Sequence, residues 1–288
     1  MRASPVRRRR KPRVAFVLGG GGHMGAYQVG MLRALLERGV LPDVVVGTSV
    51  GALNGAAVAS DPRPDVVDRL EEEWLSIVKR GVFAGSLLTG AVNLFRSRTA
   101  MHSNRPLREL IERVIPAPRF EDLQLNFECV AASIERAAEH WFATGPLPQA
   151  ILASSAVPGL LPVVEIDGEH FIDGGIVNSI PVGRAVELGA REIYVLHVGR
   201  IERALDPPTN PWQVAMVAFE IARRHRFARD MATLPRGVTA HVLPTGERTP
   251  PRYDDLSQLR YRDFSQVERR IQHAHRATLA YLDDMGSP

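Results

Sequence analysis

The chain has 288 residues, 45% hydrophobic and 24% charged, with a formal net charge of +4. That length suffices for one large α/β domain, or at most two ordinary ones, and no apolar run approaches the roughly 20 residues that a helical membrane span needs. Cys129 is the only cysteine, which excludes an internal disulfide and a thiol cluster for structural zinc and fits a reducing, cytoplasmic compartment.

Before Val14 stand Arg2, Arg7, Arg8, Arg9, Arg10, Lys11 and Arg13 with no acid, so removing these seven charges from the formal +4 leaves −3 on the rest of the chain. Arg7 to Lys11 followed by Val14 to Leu18 imitates the start of a secretory leader, but a glycine run interrupts it and no small-residue cleavage site follows. The expectation is a disordered basic tail over residues 1–12, able to touch an anionic inner membrane surface, then a single domain over 13–288. Val14 to Leu18 reads as a buried strand ended by Gly19 to Gly22. From Met24, the spacing of Tyr27, Met31, Ala34 and Leu35 predicts a helix that Gly39 stops. Val44 to Val46 is a second buried strand, and the alanine-rich stretch after Gly51 is a second helix, to Ala59. This alternation predicts a parallel sheet with helices on its faces.

Amphipathic helices are expected around Val67 to Val78 and Leu107 to Val114. Between them, Gly81 to Phe95 is oily and broken by glycine, a candidate lid or membrane-facing flap, with ordinary packing as its alternative. Val163 to Ile166 and His170 to Ile172 flank Asp167-Gly168, a two-residue hairpin signal that delivers Asp173 at its end. Ile193 to Val198 and Thr239 to Leu243 are expected strands. Trp212 to Met231 and Ser265 to Leu282 are expected helices, and Asp206 to Pro211 a proline-rich loop.

Three motifs carry chemistry. Gly47-Thr48-Ser49-Val50-Gly51 lies between a buried strand and a helix, where a nucleophile elbow sits, and the helix N-terminus sets partial positive charge beside a developing alkoxide. The run Gly20-Gly21-Gly22-His23-Met24-Gly25 offers backbone N–H groups as an anion cradle. It also spells the dinucleotide fingerprint G-x-G-x-x-G, but the second strand ends on Val46-Gly47-Thr48-Ser49 rather than on an acid, and Asp43 stands at its beginning. Asp173-Gly174-Gly175 places a carboxylate where it can act as general base toward Ser49. Read alone, each has a plain alternative: a capping serine, a glycine turn, a capping aspartate.

Together the motifs resemble those of bacterial patatin-like phospholipases: the glycine run is similar to that family's oxyanion loop, Gly47 to Gly51 to its nucleophile elbow, and Asp173-Gly174-Gly175 to its Asp-Gly-Gly box. Ala153-Ser154-Ser155-Ala156-Val157-Pro158 and Asn178-Ser179-Ile180-Pro181-Val182 are similar to its framing segments. The match is strong over 13–188 and looser over 189–288. The resemblance implies a three-layer α/β/α fold with a mainly parallel central sheet. It implies hydrolysis of lipid acyl esters through an acyl-serine, with no metal and no cofactor. Ser49 and Asp173 would be catalytic, Gly20, Gly21, Gly22 and Gly25 the oxyanion loop, and Gly47, Gly51, Gly174 and Gly175 motif glycines. His23 and Met24 would meet the substrate, a lipid or fatty-acyl ester; no nucleic-acid partner is expected. Met24 stands where the family usually carries Arg or Lys. An aspartate of ordinary pKa is a poor match for a serine hydroxyl, so the cradle and helix dipole are expected to carry much of the barrier reduction.

Two rivals remain open on sequence. An α/β-hydrolase triad would complete Ser49 with His197, His241 or one of His273 and His275, and a non-catalytic lipid-binding protein on the same fold would leave Ser49 inert.

Overall fold

The computed structural model describes residues 14–80, 102–198, 204–247 and 266–286. The basic tail and the oily segment 81–95 lie outside the described residues. The strands are β1 (Val14–Leu18), β2 (Val44–Thr48), β3 (Asn126–Ser133), β4 (Ala138–Phe142), β5 (Val164–Ile166), β6 (Glu169–Asp173), β7 (Glu192–Leu196) and β8 (Thr239–Val242). The helices are α1 (Ala26–Glu37), α2 (Val50–Ser60), α3 (Pro64–Arg80), α4 (Arg105–Val114), α5 (Leu147–Ser154), α6 (Gly175–Asn178), α7 (Val182–Glu187), α8 (Pro211–Ala232) and α9 (Val267–Gly286). None is long and apolar enough, among the described residues, to cross a membrane.

The strands form one sheet in the order β5-β6-β3-β2-β1-β7-β8, with β4 also paired to β3. It is parallel from β3 through β2, β1 and β7 to β8, and antiparallel at the β3, β4, β6 and β5 end. A parallel sheet buried on both faces needs strands that are apolar nearly throughout; β1 meets that demand at every position and β2 at every position but Thr48. Phe16, Leu18 and Val45 face a core shared with α1, α2, α3, α4, α5 and α9. Ala15, Val17, Val44 and Val46 face the opposite one, with Val182 and Ala185 of α7 and Phe227 of α8. The result is the expected three-layer α/β/α arrangement.

The Asp167-Gly168 turn has positive φ at both residues, 52° and 79°, the geometry of a two-residue hairpin that follows the strand twist. The first helix starts later than its apolar spacing suggests: Gly22–Gly25 form a 3-10 turn, and the α-helix begins at Ala26. Residues 126–142 carry two strands with no counterpart in the sequence reading. In β3, Glu128 interrupts the apolar pattern because its carboxylate pairs with Arg184 at 2.7 Å. In β4, Glu139 and His140 sit at partly exposed positions.

β3 is the strand that assembles the site. β4 pairs with Cys129 to Ser133 along one edge, so β2, paired with Asn126 to Val130, and β6, paired with Ala131 to Ser133, share the other edge. Thr48 lies opposite Val130 and Asp173 opposite Ala131. The two strands therefore meet end to end, setting the residue after Thr48 beside the last residue of β6.

Candidate active site

Ser49 follows β2 and caps α2, with φ 55° and ψ −123°. A non-glycine residue at positive φ costs on the order of 1–3 kcal/mol and persists only where its surroundings over-determine it. Here they do. The Ser49 N–H donates to Ser154 Oγ at 2.9 Å, and that hydroxyl donates to the Val130 carbonyl at 2.6 Å. The Thr48 hydroxyl donates to the Asn178 carbonyl at 2.9 Å. A Cβ on Gly47 would lie 2.4 Å from the Gly51 carbonyl oxygen, and one on Gly51 2.1 Å from that of Leu18. The two motif glycines thus let helix and strand touch backbone to backbone. Gly174 serves the same purpose against the Val130 carbonyl, 2.1 Å from where its Cβ would be.

The Ser49 hydroxyl donates to Asp173 Oδ2 at 2.7 Å, while the Gly175 N–H donates to Asp173 Oδ1 at 2.7 Å. Both side chains are buried, at 7% and 6% exposure. Burial pushes the Asp173 carboxyl up to about 6, against the opposing pull of the Ser49 and Gly175 hydrogen bonds. Its pKa is therefore not the ordinary one expected from sequence: loss of hydration outweighs two donors.

The glycine run lies beside this pair, since a Cβ on Gly20 would sit 3.4 Å from Ser49 Cβ. Its place in the cradle differs from the expectation. The Gly20 N–H donates to the Ser179 carbonyl at 2.9 Å, so its hydrogen is already spent. Among the described residues the Gly21 and Gly22 amides have no acceptor, so of the glycines expected in an anion cradle these two have N–H groups to offer. Gly25 is a contact residue, because its Cβ would strike Val50 at 2.3 Å and Trp74 at 2.9 Å. His23 is buried, and Met24 is half-buried, packed against the larger core.

Sequence reasoning passed over Gln28 and Asn54, which anchor the loop from below. Gln28 Nε2 donates to the carbonyls of Gly19 at 2.7 Å and Leu196 at 3.0 Å, and Asn54 Nδ2 donates to the Gly25 carbonyl at 3.1 Å and Gln28 Oε1 at 2.9 Å. Both are fully buried. Their signal in the sequence is an amide side chain inside an otherwise apolar helix, which must find partners when buried. Ser154, read only as part of a framing segment, holds the Ser49 backbone.

No histidine among the described residues hydrogen-bonds Ser49 or Asp173. His197 is buried after β7, and burial followed by the nearby Arg223 and Arg224 lowers its imidazole to about 3. His241 stacks on Tyr194 with ring centroids 5.0 Å apart. His275 pairs with Glu37 at 2.6 Å, and His273 lies 3.8 Å from Glu247. The strand end that a dinucleotide site would furnish with an acid ends instead on Thr48, and Asp43 accepts the Val14 N–H at the opposite end of the strands, at 2.9 Å.

The patatin-like phospholipase family profile matches residues 16–186. Patatin-like phospholipase domain-containing protein ZK370.4 of Caenorhabditis elegans is 34% identical over 191 residues, covering 66% of this chain and 14% of that protein. The Homo sapiens patatin-like phospholipase domain-containing protein 6 is 32% identical over 188 residues, 65% of this chain and 13% of its own. Lysophospholipase nte1 of Aspergillus terreus is 31% identical over 189 residues, 66% and 12%. The matched segment is thus a small part of each relative. The crystal structure of VipD from Legionella pneumophila shares the fold, with a TM-score of 0.50 at 14% identity over 96% of this chain and 67% of that one. The profile spans more than half of the chain, from β1 to α7 and across both strand ends that meet at β3, and the chain belongs to the patatin-like phospholipase family.

Proposed function

We propose that this protein hydrolyses lipid acyl esters, with Ser49 as nucleophile and Asp173 as general base. The observation that carries the reading is the 2.7 Å hydrogen bond from a strained, buried serine to a buried carboxylate. Asp173 Oδ2 accepts the Ser49 proton as Ser49 Oγ attacks the ester carbonyl carbon. The Gly175 N–H holds Oδ1, leaving Oδ2 directed at the serine. The Gly21 and Gly22 amides and the N-terminus of α2 stabilise the negative oxygen of the tetrahedral intermediate. Collapse to an acyl-serine releases the alcohol with the proton that Asp173 held. Water, deprotonated by the same carboxylate, then frees the fatty acid.

A base must be ionised to act, and a carboxyl titrating at about 6 is mostly ionised at neutral pH while being a stronger base than an ordinary aspartate. The efficiency kcat/KM for a soluble ester is expected to fall about tenfold per unit below pH 6 and to level off above it. A profile flat down to pH 4 counts against Asp173 as the base. A fluorophosphonate probe is expected to label Ser49 and to leave Ser49→Ala unmodified; labelling absent from the wild type would assign the chain to the non-catalytic, lipid-binding alternative.

Met24 bears on the substrate class. A cation about 5 Å from the oxyanion or a phosphate, at an effective dielectric near 20, would contribute about 3 kcal/mol before desolvation. Methionine offers instead a flexible apolar wall suited to an acyl chain. The wild type is therefore expected to favour neutral carboxyl esters over phospholipids of equal acyl length, and Met24→Arg to shift the ratio of efficiencies toward phospholipid. A wild type that already favours phospholipid, with a ratio unmoved by Met24→Arg, would refute this preference.

A further inference from the structure

The end of α6 and the two residues after it are fastened at three successive positions, first to the end of β2 and then to the glycine run. The Asn178 carbonyl accepts the Thr48 hydroxyl, the Ser179 carbonyl accepts the Gly20 N–H at 2.9 Å, and Ile180 Cγ1 lies 3.2 Å from where a Cβ on Gly19 would be. This fixes the backbone of Ser179 and aims its side chain. A Cβ on Gly20 would lie 3.4 Å from Ser49 Cβ and 3.5 Å from Ser179 Oγ; a Cβ on Gly175 would lie 3.0 Å from Asp173 Oδ1 and 3.8 Å from Ser179 Oγ. One hydroxyl is thus close to the loop on one side and to the carboxylate's surroundings on the other.

Ser179 is buried at 4% exposure. Its hydroxyl donates no hydrogen bond to any described residue, and it is not among the solvent-sealed polar atoms left without a partner, so it faces open space. A hydroxyl with no acceptor in the chain keeps its donor for whatever group comes to lie in that space. The neighbouring atoms identify when that happens: Ser179 removes one amide of the cradle through its carbonyl and brings a hydroxyl to the same place.

Resting on the acyl-transfer reading above, we infer that the Ser179 hydroxyl donates a hydrogen bond to the carbonyl oxygen of the bound ester as that oxygen becomes negative, in place of the Gly20 amide. The donor changes no bond and moves no proton. It lowers the barrier because the charge it meets exists only after Ser49 attacks.

The test compares Ser179→Ala, Ser179→Cys and Ser179→Thr with Ser49→Ala, using a soluble p-nitrophenyl ester and a fluorophosphonate. Loss of one oxyanion donor typically lowers kcat roughly hundredfold. Ser179→Ala is expected to show that loss with KM within about twofold of wild type, and to slow fluorophosphonate inactivation in proportion. Ser179→Cys, which keeps the volume but not the strong donor, falls with it, and Ser179→Thr recovers most of the rate. The limb of the pH profile near 6 stays in place, because the partners of Asp173 are untouched. A folded Ala or Cys variant with kcat within about threefold of wild type overturns the inference. So does a loss accompanied by a displaced pH limb, which would make Ser179 a support of Asp173. A Ser49→Ala variant that remains active and unlabelled would instead defeat the acyl-transfer reading itself, whatever Ser179 does.

Discussion

Asp173→Asn is expected to abolish ester hydrolysis and, at the same time, to make the folded protein more stable at pH 7 and above. The chemical half follows from the base: an amide cannot take the Ser49 proton, and losing a member of a unit that acts together costs about 10⁴-fold or more. The stability half follows from burial. In the unfolded chain an aspartate titrates near 3.8, whereas in the fold Asp173 titrates at about 6. Between those values the folded state binds more protons than the unfolded state, so stability falls as pH rises through the window and stays level above it. Keeping the ionised form buried costs on the order of 3 kcal/mol. Asparagine can accept from Gly175 and donate to Ser49 Oγ without a charge. The melting temperature of Asp173→Asn should exceed that of wild type by several degrees at pH 8, and the two should converge near pH 4. Ser49→Ala should lose activity to the same degree without this gain. His197→Gln and His241→Gln should keep most of their kcat/KM, and a loss of several orders of magnitude in either would replace the two-residue arrangement by a triad. If the melting temperature of Asp173→Asn falls at pH 8, the carboxylate is not a destabilising charge and its raised pKa is refuted.

Gly51→Ala is expected to be among the most damaging single-methyl additions at the described glycines. Its Cβ would lie 2.1 Å from the Leu18 carbonyl oxygen, 2.5 Å from its carbon and 2.8 Å from the Gly19 carbonyl oxygen. All are backbone atoms of the central strand and the loop after it. Leu18 is paired with Gly47 on one side and Leu196 on the other, so it cannot yield without breaking register, and the strain falls instead on α2. Overpacking typically costs 1–3 kcal/mol where side chains can adjust; against fixed backbone the upper end or beyond is expected. Displacing α2 also pulls Ser49 away from Asp173. Soluble Gly51→Ala should therefore melt at least about 5 °C lower and lose more than tenfold in kcat/KM. Gly286→Ala, whose Cβ would meet nothing within 4 Å, serves as the neutral control. Near-wild-type melting of Gly51→Ala would show that α2 and β1 are less tightly joined than this contact requires.

The residues of the candidate site were legible in the sequence because their constraints are local. A strand buried on both faces must be apolar nearly throughout, a sharp turn into a helix needs Gly47 and Gly51, and a two-residue turn with positive φ at both positions calls for Asp167-Gly168. Each is written within a few neighbouring letters, so Ser49 and Asp173 could be picked out singly. What joins them was not legible. The meeting depends on β3, where Glu128 breaks the apolar run and is balanced by Arg184, 56 residues away. It depends further on the register that sets Thr48 and Asp173 opposite consecutive residues of that strand. Long-range pairing leaves no mark in spacing, and the same holds for electrostatics. Nothing in the letters Asp-Gly-Gly says that burial will outweigh two hydrogen-bond donors, or that the Ser179 carbonyl will occupy the Gly20 amide. Local backbone geometry was determined by sequence pattern. Proton affinity, and which donors remain free, were decided only by tertiary packing, because both depend on how much water and which partners the rest of the chain leaves around each group.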